Sequence, residues 1–347
     1  MLLGLETSCD ETAAAVLGPD GTLRSSVVGT QAAVHARYGG VVPEIAGREH
    51  VAALIPVVRE ALDQASIAES DLTGIAVTVG PGLIGSLLVG LSFAQGMAFR
   101  LNVPLAGVHH IEAHLLAVLL EREVAFPFLG LVVSGGHTHL YRVDRPGRYS
   151  LLGRTRDDAA GEAFDKAAVC LGLSYPGGVS IEKASRTGDP QRYGLPRGLQ
   201  RDGSFDFSFS GLKTAVRLQA QQFGTPTERQ VADLAASVQE AIVDSLVTKT
   251  LAAARHHGLE TIVVAGGVAA NKRLRSAFET RGGDIQAVFP DFSLCTDNAA
   301  MVACAGMHRM RVETPSLLSM RPRPAWPLEE VAWPSSPFSS ESELVHE

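Results

Sequence analysis

The sequence predicts an α/β protein built from two similar lobes. Two segments of the 347-residue chain, LGLETSCDET at residues 3–12 and LGLVVSGGHT at residues 129–138, align without a gap, and the match continues as far as Gly21 and Gly147. Each copy has the pattern strand, tight polar turn, strand, turn, strand, which is typical of a β-meander. The matched polar turns favour duplication over a chance similarity of short apolar runs.

A second, looser repeat extends each lobe. The segments IAVTV at residues 75–79 and TIVVA at residues 261–265 are each followed by a glycine-rich turn and a helical pattern. Each copy indicates a buried strand, a turn and a helix, although this combination is common in α/β proteins. Together the two repeats predict two lobes that meet at a cleft, with the turns that contain Ser8 and Ser134 facing it.

This organisation gives the expected domain boundaries. We expect an N-terminal lobe over residues 1–127 and a C-terminal lobe over residues 128–299. A helix over residues 300–316 is expected to pack back on the first lobe. Residues 317–347 are rich in Pro and Ser and predict a partly disordered tail.

Composition and charge restrict the class of protein. Hydrophobic residues make up 46% and charged residues 19%, as in globular proteins with a large core. A formal net charge of -7 argues against broad electrostatic capture of nucleic acid. It leaves open either a local basic face or a mixed solvated surface where basic residues gather, at Arg192, Arg197, Arg201, Lys213, Arg217, Lys272, Arg273 and Arg275.

The same composition indicates a cytoplasmic location without a membrane. None of the four cysteines forms a CxxC pair, so free thiols in a reducing compartment are the simplest interpretation. Residues 72–99 carry no charge, but Gly80-Pro81-Gly82 interrupts them. A buried strand, a turn and a helix therefore fit better than a membrane span.

The segment HHIEAH places His110 and His114 four residues apart, on one face of a helix. Metalloproteases carry H-E-x-x-H, with the glutamate directly after the first histidine. Here Glu112 lies two residues from each histidine and therefore points to the opposite side of the helix. The peptidase interpretation loses its catalytic base, whereas a metal site remains possible beside the alternative of two histidines in the surface or core.

A metal site needs a third ligand, and Asp297 in the segment CTDNAAM is the candidate. Two histidines and one aspartate would form a facial triad that suits iron(II) or zinc. The alternative is that Asp297 caps the alanine-rich helix that follows it.

Polar turns supply the other candidates. In the turn over residues 133–137, the glycines would let backbone N–H groups approach an oxyanion, and Ser134 would add a hydroxyl donor. The alternative is that this segment is only a hairpin turn. Asp10 and Glu11 occupy the matching turn, either for proton transfer or as exposed acids. Asn271, after two glycines, would contact a nucleotide or cap a helix. Asp165 would bind a ribose hydroxyl or an amine.

The ordered motifs TSCDET, HHIEAH, VSGGHTHL, GEAFDKAA, YPGG, FSFSGLKTA, AGGVAAN and TDNAAM resemble the universal family of tRNA N6-adenosine threonylcarbamoyltransferases, called TsaD in bacteria. The resemblance covers roughly residues 1–310. The family was once labelled an O-sialoglycoprotein endopeptidase, and a metal-dependent glycoprotein endopeptidase is the alternative function. The resemblance implies the actin-like, sugar-kinase-like two-lobe fold.

The resemblance also implies an activity and partners. The expected reaction transfers the threonylcarbamoyl group of threonylcarbamoyl-AMP to N6 of the adenosine next to the tRNA anticodon, in tRNAs that read codons beginning with A, and releases AMP. The family implies one divalent metal ion per subunit, iron(II) or alternatively zinc. It also implies the accessory proteins TsaB and TsaE.

The family's functional residues match positions of this sequence. His110, His114 and Asp297 match its metal ligands, and Asp10 and Glu11 match acids that matter for transfer. Glu182 lies where many members have aspartate. The positions that match the family's substrate-binding residues are Val133, Ser134, Gly135, Gly136, His137, Asp165, Gly178, Glu182 and Asn271.

Overall fold

The computed structural model describes residues 1–200, 202–312 and 320–333. The described residues divide into two units. Unit 1 comprises Met1–Phe126, Asp144–Tyr149 and the described residues from Asp297 onward. Unit 2 comprises Pro127–Val143 and the described residues of Ser150–Thr296. The domain boundaries expected from the sequence stay a prediction.

Each unit contains one five-stranded sheet. The strands of unit 1 are β1 (Leu2–Glu6), β2 (Glu11–Leu17), β3 (Leu23–Thr30), β4 (Gly74–Gly80) and β5 (Leu105–His109). The remaining strands are β6 (Phe128–Val133), β7 (Thr138–Arg145), β8 (Arg148–Arg154), β9 (Thr261–Ala265) and β10 (Gln286–Val288). The order is β3-β2-β1-β4-β5 in the first sheet and β10-β9-β6-β7-β8 in the second.

The register of the two sheets supports the duplication. Leu3 pairs with Val16 on the antiparallel neighbour, and the aligned Leu129 pairs with Arg142. On the parallel side, Leu3 pairs with Ile75 and Leu129 pairs with Ile262. Equivalent strands therefore lie in equivalent places in both sheets, as the sequence repeats predict. Strands β1, β4, β5 and β6 are buried along their whole length, which explains their continuous apolar sequences.

Helices cover the sheets. In unit 1 the helices are α1 (Ala32–His35), α2 (Pro43–Gln64), α3 (Ile84–Leu101) and α4 (His110–Leu116). Those of unit 2 are α5 (Ala160–Cys170), α6 (Gly177–Ser185), α7 (Ser210–Gln222), α8 (Glu228–His256), α9 (Lys272–Arg281) and α10 (Phe292–Cys295). Helix α11 (Ala299–Met310) belongs to unit 1 and packs on β1, β2 and β4.

Short 3₁₀ helices connect some of these elements, at Ala36–Tyr38, Glu69–Asp71, Ala117–Leu120, Gly267–Ala270 and Leu328–Glu330. In unit 2, the core forms where α5, α6 and α9 pack against the long helix α8. Helix α8 begins with a capping box, in which Thr227 and Gln230 satisfy each other's backbone N–H groups.

The uncharged stretch at residues 72–99 forms β4, a turn and most of α3, as predicted. Helix α3 is long and apolar enough to cross a membrane by length and composition alone. Its residues Leu87, Leu91 and Ala94 are buried in unit 1, where α3 packs on β4 and α2. One face of the helix is therefore buried in unit 1, while other apolar side chains of α3 are exposed.

Part of the predicted tail packs on unit 1. The Arg323 backbone N–H donates to the Val79 carbonyl oxygen at 2.7 Å, which places the segment beside β4. Leu328, Val331 and Trp333 are buried. Residues 320–333 therefore contribute to the core of unit 1, and the rest of the predicted tail lies outside the described residues.

Candidate metal centre and substrate-binding residues

A third histidine starts the helix that carries the histidine pair. Strand β5 ends at His109, and α4 begins at the next residue. The His109 Nδ1 atom accepts the backbone N–H groups of Ile111 at 3.1 Å and Glu112 at 3.4 Å. Its Nε2 atom donates to the Trp326 carbonyl oxygen at 2.9 Å. His109 is therefore a helix cap, which sequence reasoning missed because histidine is not among the usual capping residues.

The three predicted metal ligands converge within unit 1. One ligand atom from each of His110, His114 and Asp297 lies within 4.8 Å of the others. The Asp297 Oδ1 atom is 3.1 Å from His114 Nε2 and 3.6 Å from His110 Nε2. Asn298, rather than Asp297, caps α11, because its side chain accepts the Met301 N–H at 2.9 Å. The capping alternative for Asp297 is therefore wrong.

The donor set fits a divalent transition metal. Two imidazole nitrogens and one carboxylate oxygen are the ligands of iron(II) and zinc sites. Burial alone would lower the pKa of His110, but the carboxylates of Asp297 and Glu6 raise it to about 9. The surroundings of the triad therefore favour a positive charge, which a metal ion would supply.

Glu6 is a buried acid beside the triad that sequence reasoning missed. Its Oε2 atom lies 3.1 Å from His110 Nδ1 and accepts the Thr78 hydroxyl at 2.6 Å. Its Oε1 atom accepts the Ser8 backbone N–H at 2.5 Å. The available signal was a charged residue at the end of the apolar strand β1, where an unpaired carboxylate would be costly.

Asp10 ends the turn after β1 and Glu11 begins β2, also within unit 1. Asp10 is buried, so the alternative of two exposed acids is wrong for it. Burial and the nearby carboxylates of Asp297 and Asp10 raise the pKa of Glu11 to about 9. With this pKa, the Glu11 carboxyl is mostly protonated at neutral pH, unlike an ordinary surface glutamate.

A buried histidine holds this turn in place. His50 Nε2 donates to the Cys9 carbonyl oxygen at 2.9 Å, and His50 Nδ1 accepts the Thr12 hydroxyl at 2.7 Å. Gln31 adds a backbone bond, since its N–H donates to the Asp10 carbonyl oxygen at 3.1 Å. The backbone that carries the two acids is therefore fixed from both sides.

Glu112 has surroundings unlike those of a peptidase base. It is buried, and its Oε1 atom accepts the Tyr149 hydroxyl at 2.6 Å. Burial raises its pKa to about 7. The partner is a tyrosine of the hairpin at residues 144–149, whereas the histidines contact Asp297. This geometry agrees with the spacing argument against the peptidase.

In unit 2, the turn after β6 is open. Ser134 N–H donates to the His137 carbonyl oxygen at 2.8 Å, and the Ser134 hydroxyl accepts the His137 N–H at 3.1 Å. A Cβ atom added to Gly135 or Gly136 would meet no atom within 4 Å. Val133 is buried at the end of β6. The turn is a hairpin turn that also exposes its glycines, so its predicted substrate role stays a prediction.

Asp165, Gly178 and Glu182 lie on two packed helices, α5 and α6. The Asp165 Oδ1 atom accepts the Gly177 N–H at 2.7 Å, and burial raises the pKa of Asp165. Gly178 has space around its Cα, and Glu182 is half-buried one turn further along α6. Their roles in substrate binding remain predictions.

Asn271 caps α9, which was one of its two predicted roles. Its Oδ1 atom accepts the Leu274 N–H at 3.0 Å, and its Nδ2 atom donates to Gln239 at 2.9 Å. Gln239 in turn donates to the Ser185 hydroxyl at 3.0 Å. This buried network fixes the orientation of the amide, and sequence reasoning missed Gln239 within the long helix α8.

Several basic residues of the predicted basic face form ion pairs or stack on aromatic rings. Arg197 forms an ion pair with Asp244 at 2.9 Å, and Arg273 forms one with Glu240 at 2.8 Å. Arg275 stacks on Phe289 and Phe292. The exposed basic residues of unit 2 that were predicted are Arg192, Lys213, Arg217 and Lys272, and Arg201 lies outside the described residues.

Known proteins identify the family. The model of the TsaD family, tRNA N6-adenosine threonylcarbamoyltransferase, matches residues 22–304. Two curated relatives of that name, from Syntrophotalea carbinolica and Trichlorobacter lovleyi, are both 53% identical to the chain. The first alignment covers 96% of this chain and 98% of the relative, and the second covers 97% and 100%.

A solved structure supports the fold. Component A of (R)-2-hydroxyglutaryl-CoA dehydratase from Acidaminococcus fermentans has a TM-score of 0.55 at 14% identity, over 88% of this chain and 96% of that chain. At this identity the likeness concerns the fold alone, and it agrees with the predicted actin-like α/β architecture. The sequence relatives and the family model lead to one conclusion: the chain belongs to the TsaD family of tRNA N6-adenosine threonylcarbamoyltransferases.

Proposed function

We propose that the protein transfers the threonylcarbamoyl group of threonylcarbamoyl-AMP to N6 of the adenosine adjacent to the anticodon and releases AMP. The substrates would be tRNAs that read codons beginning with A. The observation that supports this most is the convergence of His110, His114 and Asp297 in a chain of this family. The reaction would make the protein a metal-dependent acyltransferase.

The proposed cofactor is one divalent metal ion per subunit, with iron(II) as the first candidate and zinc as the second. His110, His114 and Asp297 would hold it. A metal bound there would supply Lewis acidity and a template for the oxygen atoms of the threonylcarbamoyl group.

The chemistry defines what the protein's own residues must do. The donor is already an activated mixed anhydride, but the adenine amine is a poor nucleophile because its lone pair is delocalised into the ring. Positioning and charge stabilisation must therefore supply most of the rate. In the transfer, a bond forms between N6 and the carbonyl carbon, the bond from that carbon to the phosphate oxygen breaks, and AMP leaves.

The amine proton would pass to the acids of the first turn, Asp10 or Glu11. A general base works best when its pKa lies near the working pH. The fixed backbone around both acids supports this assignment. The raised pKa of Glu11, about 9, keeps that carboxyl mostly protonated at neutral pH, which favours Asp10 as the acceptor.

The residues of unit 2 would bind the adenylate. The Ser134-Gly135-Gly136 turn would hold the phosphate, because its open glycines let backbone N–H groups approach an anion. Val133 and His137 flank this turn. The adenosine part would contact Asp165, Gly178, Glu182 and Asn271.

The proposed partners are tRNA and the accessory proteins TsaB and TsaE, in the cytoplasm. Exposed apolar side chains support a protein partner, because such residues are costly to leave in water when they cluster. Val51 and Ile55 on α2, and Ile84 and Leu88 on α3, are between 46% and 64% exposed. The two helices pack against each other.

For tRNA, the exposed residues Arg192, Lys213 and Arg217 are the proposed contact face. Replacing the three with glutamine should weaken tRNA binding and flatten its salt dependence. Unchanged binding would exclude this face.

The test of the function is mass analysis of nucleosides from unmodified tRNA. The tRNA is incubated with this protein, TsaB, TsaE, threonine, bicarbonate and ATP. We expect threonylcarbamoyladenosine with the wild type and none with His110→Ala. A parallel incubation with a glycoprotein substrate should show no cleavage. Cleavage that requires His110, without tRNA modification, would establish the endopeptidase alternative.

A further inference from the structure

The two histidines of the triad differ in what their second ring nitrogen contacts. The Nδ1 atom of His110 lies 3.1 Å from Glu6 Oε2 and 3.2 Å from the Ser8 hydroxyl. The Nδ1 atom of His114 is buried and has no hydrogen-bond partner among the described residues. Among the described residues, an acid therefore contacts the Nδ1 atom of His110 but not that of His114.

Glu6 is itself held rigidly. It ends strand β1 and is fully buried, and its two oxygens accept from Ser8 N–H and the Thr78 hydroxyl of the adjacent strand β4. A carboxylate can only accept hydrogen bonds. The proton between Glu6 and His110 must therefore lie on His110 Nδ1.

This arrangement selects one tautomer of His110. When Nδ1 carries the proton, neutral His110 presents a lone pair at Nε2, and Nε2 faces Asp297 at 3.6 Å. In this tautomer the Nε2 lone pair and the Asp297 carboxylate are both available to the same cation. Carboxylates that receive the distal N–H of a ligating histidine orient the ring and increase its basicity.

We propose that Glu6 is a positioning residue that fixes His110 in the Nδ1–H tautomer, so that Nε2 is ready to bind the metal. The proposal rests on the proposed metal centre. It deepens that function by assigning a role to a residue outside the ligand set. Thr78 would support this role indirectly, because its hydroxyl donates to the Glu6 carboxylate and orients it.

The first test measures metal affinity by competition between the full-length protein and a chelator, with zinc(II) alone as the probe. Glu6→Gln keeps the size of the side chain but presents an N–H₂ group to one of its donors. We expect about 10- to 100-fold weaker binding, the usual loss for such outer residues. Glu123→Gln, at an exposed position of unit 1, is the matched control and should bind like the wild type.

The second test observes the tautomer directly, by NMR of protein labelled with nitrogen-15 histidine. The wild type should show a protonated Nδ1 on His110 with and without zinc(II), and Glu6→Gln should lose the strongly shifted Nδ1–H signal. A folded Glu6→Gln protein that binds zinc(II) within twofold of the wild type would overturn the proposal. So would a wild-type His110 whose Nδ1 carries no proton.

Thr78→Val keeps the experiment decisive if Glu6→Gln fails to fold. This variant removes one donor to Glu6 and leaves the charge, so we expect a weaker affinity by a few-fold and a shifted Nδ1–H signal. Unchanged values would overturn the proposal. If wild-type affinity does not depend on His110, the proposed metal centre fails. The tautomer of the metal-free wild type, measured above pH 9 where the His110 ring is neutral, then still decides whether Glu6 fixes the Nδ1–H form.

Discussion

The turns that follow β1 and β6 come from equivalent places in the two sheets but differ in chemistry. At aligned positions, unit 1 has Asp10 and Glu11 where unit 2 has Gly136 and His137. Asp10 is buried, whereas Gly136 is exposed with open space around it. The strand register is the same on both sides of the comparison. The backbone framework is therefore the same in both copies, while the side chains of the two turns differ.

The chemical groups around each turn explain why the two turns are suited to different ligands. Around the first turn, the carboxyl groups of Glu6, Glu11 and Asp297 gather beside two histidines, which suits a cation and proton transfer. The second turn offers backbone N–H groups and a hydroxyl, which suits an anion. The comparison predicts that changes in one turn affect a different measurement from changes in the other.

The largest effect is expected from the triad beside the first turn. Asp297→Ala removes one of three ligands, so metal affinity should fall by more than the ~100-fold that outer residues can cause. Ser134→Ala in the second turn is the control and should leave metal content unchanged. Elemental analysis after dialysis against a weak chelator measures the metal content of both variants. Equal metal content would contradict the prediction that the two turns affect different measurements.

A smaller effect is expected for the acids themselves. Asp10→Asn or Glu11→Gln should slow transfer by about 100-fold, the range of general acid–base catalysis. His137→Gln, at the position aligned with Glu11, should slow it less. Single-turnover rates with saturating threonylcarbamoyl-AMP measure the difference. Rates near wild type for both acid variants would show that neither acid removes the proton.

The third effect concerns the pH dependence of stability. In β7, the strand after the second turn, His139 occupies the position that buried Ala13 has in β2. Burial, and then the charge of Arg154, lower the pKa of His139 to about 4. Between pH 4 and the ordinary value of 6.5, the unfolded state binds the additional proton. The free energy of unfolding should therefore fall as the pH falls through this window, by roughly 2 kcal/mol after allowance for partial exposure.

Urea unfolding followed by circular dichroism at pH 7, 6, 5 and 4 tests this prediction. His139→Asn keeps a partner for the Tyr141 hydroxyl, which lies 3.0 Å from His139 Nδ1, but does not titrate in this range. The loss of stability on acidification should be smaller for the variant. An equal loss of stability with falling pH in the wild type and the variant would contradict the prediction.

The smallest effect is expected from filling the second turn. Gly136→Leu adds a side chain to open space, so stability should stay near that of the wild type. The KM for threonylcarbamoyl-AMP should rise about tenfold, which is ~1.4 kcal/mol of binding. By contrast, Gly161→Ala would place a Cβ 2.7 Å from the Ser134 carbonyl oxygen and should destabilise unit 2. An unchanged KM for Gly136→Leu would remove the turn from the substrate site.

The repeats predicted the fold because strand register follows the alternation and burial of apolar residues. Leu3 and Leu129 occupy equivalent positions since their neighbours in sequence already matched. Likewise, the histidine pair was predictable because helix geometry places residues four apart on one face. Local rules thus sufficed for both sheets and for two of the three ligands.

The remaining site features depend on contacts between distant segments. Asp297 reaches the histidines only because α11 packs against the sheet of unit 1, and its spacing in sequence says nothing of this. Glu6 and His109 have conventional local explanations, an acid at a strand end and a histidine in a polar run. Their roles appear only with their partners, Thr78 and Trp326, which lie on other segments.

The segment at residues 320–333 has a consequence for spectroscopy. Both tryptophans of the protein, Trp326 and Trp333, lie in it. The Trp326 ring is 4.7 Å from the ring of His109, the residue directly before the first histidine of the triad. The Arg323 guanidinium also lies over the Trp326 ring, 4.4 Å from its centre. The fluorescence of Trp326 therefore originates beside the start of α4, and replacing Trp333 with phenylalanine would leave a single optical reporter for that helix.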